Sequence, residues 1–134
     1  MNYNAVNALI GTPWVYRHND CWAIVRKASK AVFGVEINEI KIPDISDPVK
    51  NTKLFSTHFS GHEWLKVDAP QPGNVALFKN RKGLPVHIGI YIENGNILHC
   101  HGSPKIPGAT IYEHIDTLSK RYPVIEFYEY NGNK

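Results

Sequence analysis

The chain has 134 residues, enough for one domain, with 43% hydrophobic and 20% charged residues, the balance of a globular core. Its formal net charge of +3, with no lysine or arginine stripe, suits contact with an anionic polymer and argues against nucleic acid. Two cysteines cannot build a disulfide framework, and no apolar run approaches the ~20 residues that span a bilayer, so a single domain over 1–134 must rest on its core.

Taken in chain order, the first ten residues, MNYNAVNALI, hold no basic region and no long apolar stretch, so no secretory leader is expected. Asn4 to Ile10 reads as a short helix ended by Gly11 and Pro13. A second helix is predicted from Asn19–Asp20 to about Phe33. Trp22, Ile24, Val25, Ala28, Ala31 and Val32 recur at mostly helical spacing, and Gly34 is its stop. Residues 35–50 read as irregular connection, and 51–66 as a short helix or turn.

The second half changes period. GNVALFK follows a Pro-Gly turn and reads as a strand, PVHIGIYIENGNILHCH as a hairpin, and VIEFYEY as a final strand. Helices first and an antiparallel sheet after make an α+β domain.

The hairpin register decides what its side chains share. Val86, Ile88, Ile90 and Ile92 alternate with His87, Gly89 and Tyr91. A two-residue Asn94-Gly95 turn would send His99 to the core face. A three-residue loop Glu93-Asn94-Gly95, with Gly95 left-handed, pairs Gly89 with His99 and His87 with His101. The second register is expected, because it also sends Leu98 and Cys100 to the isoleucine face. It leaves His87, His99 and His101 together on the other face, with Gly89 making room for His99.

Cys100 then behaves as a small core hydrophobe. Cys21 stands at the first turn of a helix, where free backbone N–H groups and the macrodipole favour an anion. Such sites lower a thiol pKa from ~8.5 to as little as ~3.5–7.5, which makes the thiolate an attacking species for acyl transfer. Spacing alone leaves both a structural and a nucleophilic reading of Cys21 open.

GTPWVYRHNDCW, PQPGNVALF and HIGIYIENGNILH together resemble the NlpC family of papain-like cysteine peptidases, from about Gly11 to His99. The resemblance implies a papain-like fold: N-terminal helices, with the nucleophile at a helix start, packed on an antiparallel β-sheet. It implies Cys21 as nucleophile, His87 as general base and later acid, and His99 as the residue that orients His87, with His101 as the rival. Trp14 stands where the family has a tyrosine near the oxyanion hole. Trp14, Tyr16, Asp20 and His101 are therefore candidates for substrate binding or for the oxyanion. Other departures are Trp22-Ala23 for Ser-Gly after the nucleophile, Arg17-His18 for Gly-Gly before it, and Asn74 for Asp. Asp-Cys-Trp followed by a helix and FGVEI is most similar to the phage tail-assembly branch.

The resemblance implies hydrolysis of peptidoglycan stem peptides, typically between γ-D-Glu and a diamino acid, with no cofactor and no metal. Implied partners are bacterial peptidoglycan and phage tail proteins. The implied location is a virion tail, or otherwise the cytoplasm until release. Arg17, Lys79, Arg81 and Lys82 could meet substrate carboxylates, although solvated loops are the plainer role. His18, His58, His62 and His114 read as loop or surface residues. Zinc on Cys21, His87, His99, Cys100 and His101 is disfavoured, since neighbouring strand residues alternate faces and no metal-ligand spacing occurs. A wall-binding or structural tail module, and an amidase or acyltransferase on the same scaffold, are the alternative functions.

Overall fold

The computed structural model describes residues 1–16, 18–38, 48–61, 63–102, 106 and 108–132, with 48–51 as backbone only. Arg17, His62 and most of the predicted connection at 35–50 lie outside the described residues.

Helix α1 spans Tyr3–Leu9, with the Asn2 side chain accepting from the Ala5 amide. Helix α2 spans Cys21–Phe33. Asp20 caps it, its carboxylate accepting from the Ala23 amide at 2.9 Å, a contact of the kind that stabilises a helix by about 1 kcal/mol. Gly34 ends it in the left-handed conformation, φ 70°. Helix α3, Pro48–Phe59, is the short helix expected in 51–66, but it begins three residues earlier, inside the stretch read as irregular. Proline suits the first helical position, where its missing N–H is not needed, so Pro48 starts this helix instead of breaking it.

Six antiparallel strands follow: β1 Trp64–Val67, β2 Val75–Lys79, β3 Pro85–Glu93, β4 Asn96–Cys100, β5 Thr110–His114 and β6 Val124–Tyr130. A short helix α4, Ile115–Leu118, lies between β5 and β6. The sheet order is β1-β6-β2-β3-β4-β5, so the β3–β4 hairpin lies inside the sheet, flanked by β2 and β5. Strands β1 and β5 and helix α4 were not anticipated.

The sheet has two apolar faces. Helices α1–α3 cover one, with Trp22, Val25, Ala28, Phe55 and Phe59 packed on Val75, Ile88, Ile90, Ile92 and Leu98. Fully burying each valine, leucine, isoleucine or phenylalanine among them contributes about 1.5–3 kcal/mol. On the other face Ala76, Phe78, Ile97 and Phe127 pack with Leu118 of α4 and with Tyr122. The histidine face is therefore itself covered.

The hairpin register is the expected one, with Ile90 opposite Leu98 and Tyr91 opposite Ile97, but the turn that produces it differs. Asn94 (φ 53°) and Gly95 (φ 82°) both adopt the left-handed conformation, which makes a two-residue turn closed by Glu93 and Asn96. That turn alone would slip the register by one. A bulge between Tyr91 and Glu93 takes up the extra residue and restores it. A two-residue turn plus a bulge gives the same facing as a three-residue loop.

At Gly89 the backbone of β4 approaches closely. A Cβ there would lie 2.8 Å from Ile97 Cγ2 and 3.0 Å from His99 Cβ. Gly89→Ala is expected to push His99 off its position, lowering activity at least ~10-fold and stability by about 1–3 kcal/mol. Thermal denaturation and a turnover assay check this, and an unchanged rate would show that His99 tolerates the displacement.

Candidate active site

The loop before α2 is held by Asn19. Its side-chain amide donates to Thr12 Oγ1 at 3.0 Å and to the Pro13 carbonyl at 2.8 Å, and its own Oδ1 accepts from Lys27 Nζ. Backbone bonds between Val15 and Asn19 close the turn. Cys100, 0% exposed, donates its S–H to the Asn19 carbonyl at 3.1 Å. Cys100 is thus buried as expected, and it also ties β4 to the loop that delivers Cys21. Trp22, the residue after Cys21, is buried among His58, Phe59 and Trp64 and donates from Nε1 to the Asn38 carbonyl. It pins the first turn of α2 into the core.

Cys21 is partly exposed at the first position of α2. The backbone amides of Trp22 and of Ile88, the neighbour of His87, favour the charged form of its thiol. Tyr122, within electrostatic reach of Cys21, lies parallel to the His87 ring at 6.1 Å, and Phe78 stacks on His87 at 5.3 Å. Helix α2 and strand β3 therefore bring Cys21 and His87 into one neighbourhood.

His87 is 7% exposed and His99 1%. His87 Nε2 lies 3.0 Å from His99 Nδ1, with the rings edge to face at 77°. His99 Nε2 lies 3.0 Å from Glu113 Oε1. Arg121 pairs with that same oxygen. His101 is exposed just beyond β4, its ring 5.8 Å from that of His99, and it is His99 that meets the His87 nitrogen. Glu113 and Arg121 belong to the unanticipated β5 and to the turn after α4. The run Thr110-Ile111-Tyr112, rich in β-formers, was the available signal for that strand.

The electrostatics correct one expectation. Burial, and then the Asp20 carboxylate, push the Cys21 thiol up to about 12, against the lowering effect of the Trp22 and Ile88 amides. Burial, and then His99, His101 and Arg121, hold His87 well below the ordinary imidazole range. Both shifts favour the neutral forms, a thiol and an imidazole, and oppose the lowering that a helix N-terminus gives a thiol. Asp20 accordingly serves as a cap and, being an acceptor only, cannot hold an oxyanion. A neutral pair predicts that alkylation of Cys21 by iodoacetamide climbs steadily from pH 6 to pH 10. A preformed ion pair would instead give a plateau reaching below pH 6, and that result would reverse the assignment. Cys100 should stay unmodified in the folded protein.

Trp14 and Tyr16 lie in the loop that leads to Cys21. The Trp14 amide donates to the Gly108 carbonyl at 2.8 Å, and its side chain packs closely over Gly102. Tyr16 packs at the edge of the helical core. Lys79 pairs with Glu126 at 2.9 Å across β2 and β6. Arg81 and Lys82 are exposed on the β2–β3 turn. Asn74 shapes the turn before β2, accepting from the Gln71 amide at 2.8 Å. His18 is exposed, and exposed His114 caps α4. His58 is not a surface residue: it is half-buried, accepts from Trp64 Nε1 at 2.9 Å, and is held neutral by burial.

Among the described residues no group of three or more His, Cys, Asp or Glu side chains could hold a metal ion. No described helix is long and apolar enough to cross a membrane.

Comparison with known proteins adds the following. No curated protein sequence matches the chain. Among solved structures it is similar to the NlpC/p60 domain of the peptidoglycan hydrolase SagA. That likeness has a TM-score of 0.52 at 20% identity and covers 96% of this chain and 97% of that one. The model of the NlpC/P60 family matches residues 11–123, a span that runs from the loop before Cys21 past Arg121 and Tyr122. With its Cys21 helix, its histidine hairpin and that match over most of its length, the chain belongs to the NlpC/P60 family.

Proposed function

We propose that this protein is a thiol hydrolase of amide bonds in peptidoglycan stem peptides. The observation that carries the reading is a thiol at the first position of a helix, on the same core as the β3 strand that carries His87, with His87 Nε2 already engaged by His99. The Nδ1 of His87 is then the nitrogen left for the thiol proton. Family membership and the likeness to a peptidoglycan hydrolase domain support the substrate class.

The steps follow from these groups. As substrate enters, the Cys21 proton passes to His87 Nδ1 and the sulfur attacks the amide carbonyl. The Cys21 backbone N–H, at the helix start, stabilises the oxyanion, with Trp14 and Tyr16 as the neighbouring candidates for a second donor. His87 returns its proton to the departing amine, which leaves a thioester on Cys21. His87 then takes a proton from water, the resulting hydroxide attacks the thioester, and the carboxylic acid and the thiol are released. The bond we propose joins γ-D-Glu to the diamino acid, and the route to the wall we propose is a phage tail, on the resemblance of Asp20-Cys21-Trp22 and its helix to that branch.

Mass spectrometry of purified peptidoglycan digested with the protein tests the reading. The expected products are stem peptides cut at one amide, with a new amine on the diamino acid. Intact stems, or cleavage confined to the glycan, would overturn it.

A further inference from the structure

We infer that Glu113, held by Arg121, is a positioning residue that sets the tautomers of two successive imidazoles and so leaves His87 Nδ1 free to accept the Cys21 proton. This deepens the hydrolase reading and rests on it only for its kinetic arm. Glu113 stands on β5 opposite Ile97, and His99 stands opposite Ile111, so the two side chains share a face and meet on the diagonal.

A carboxylate only accepts hydrogen bonds. Burial pushes the Glu113 carboxyl up, but hydrogen bonds from Arg121 and His99 outweigh it and keep the group ionised. At 3.0 Å from Glu113 Oε1, His99 Nε2 must therefore carry a hydrogen, since two lone pairs facing each other at that distance would repel. Burial holds His99 neutral near pH 7, its pKa lowered to about 4. With the proton on Nε2, its Nδ1 is an acceptor. His87 Nε2, 3.0 Å away, is then the donor. His87 is neutral too, so its Nδ1 carries the lone pair. One fixed acceptor on β5 thus dictates the protonation of an atom two residues away, in the way that a carboxylate or carbonyl behind a functional histidine fixes its ring.

Arg121 makes the arrangement one-sided. It donates to the same Glu113 oxygen as His99 does, so that oxygen faces two donors. An amide at position 113 would keep its own oxygen there for the same reason. Glu113→Gln therefore preserves the tautomers, whereas Glu113→Ala removes the acceptor and lets both rings exchange. The acceptor, not the charge, is the working part.

The test is nitrogen NMR of 15N-histidine-labelled protein at pH 7, paired with kinetics on muropeptides. In the wild type and in Glu113→Gln, both histidines are expected to carry hydrogen on Nε2 and a free Nδ1. In Glu113→Ala the His87 signals should average between tautomers. Its kcat should fall roughly 10–100-fold with KM within about twofold, while Glu113→Gln stays within about threefold of wild type. A wild-type His87 protonated on Nδ1, or an Ala variant with unchanged tautomers and kcat, overturns the assignment. Correct tautomers in a wild type that cleaves no muropeptide support the assignment and reject the hydrolase reading alone.

Discussion

Replacing Cys21 by alanine is expected to abolish release of muropeptides, lowering turnover at least ~10⁴-fold while the protein stays folded. The sulfur is the atom that bonds to the substrate carbonyl, and no other described nucleophile shares its place beside the His87 strand. Cys100, the other thiol, is sealed at 0% exposure and bonded to the Asn19 carbonyl. Folding should survive because Cys21 is partly exposed, and the α2 start is held by the Asp20 cap and by Trp22, not by the thiol. Circular dichroism and the thermal midpoint check the fold, and product analysis checks activity. An alanine variant with wild-type turnover would remove Cys21 from the nucleophile role. Cys21→Ser should also be inactive, since a hydroxyl gives up its proton less easily than a thiol to an imidazole held weakly basic.

His99→Ala is expected to lower kcat ~10²–10³-fold, whereas His101→Ala changes it less than about threefold. His99 connects His87 Nε2 to Glu113, each at 3.0 Å, so its loss leaves the buried His87 ring without its partner and Glu113 with Arg121 alone. That orphaning also costs about 1–3 kcal/mol of stability. Activity should therefore be compared well below the thermal midpoint of each variant, and KM should move much less than kcat. Exposed His101 touches the ring of His99 but not the nitrogen of His87. If His101→Ala were the more damaging change, the orienting role would pass to it.

These two predictions draw on different layers of information. The α2 boundaries were legible because its signals are local: Asp20 before the first apolar residue, helical recurrence of Trp22, Val25 and Ala28, and Gly34 after the last turn. The final strand, Val124–Tyr130, is likewise marked by its own residues. The hairpin facing was legible for a subtler reason. The hydrophobic pattern constrains which residues face inward whatever the turn does. The expected register therefore survived although the turn at Asn94-Gly95 differs and a bulge compensates for it.

The start of helix α3 was misread because proline is ambiguous in isolation, a breaker inside a helix and a good first residue. Strand β1 went unseen because only Trp64 and Val67 face apolar neighbours, so its four residues alternate too briefly to show a period. His58 looks polar in sequence and is half-buried because Trp22, Phe59 and Trp64 pack around it and Trp64 donates it a hydrogen bond from across the turn.

From the sequence alone come the α+β class, the helix carrying Cys21, the strands carrying His87 and His99, and the burial of Cys100. Each depends on periodicity or on neighbours within a few residues. Only the tertiary structure decides the protonation of the site. The thiol is pushed up by burial and Asp20 and the imidazole is held neutral. Two rings are ordered by Glu113 and Arg121 from a strand and a turn that follow them in the chain. The reason is physical. Facing is set by a local alternation, whereas desolvation and hydrogen-bond direction depend on whatever groups the folded chain brings within a few ångströms.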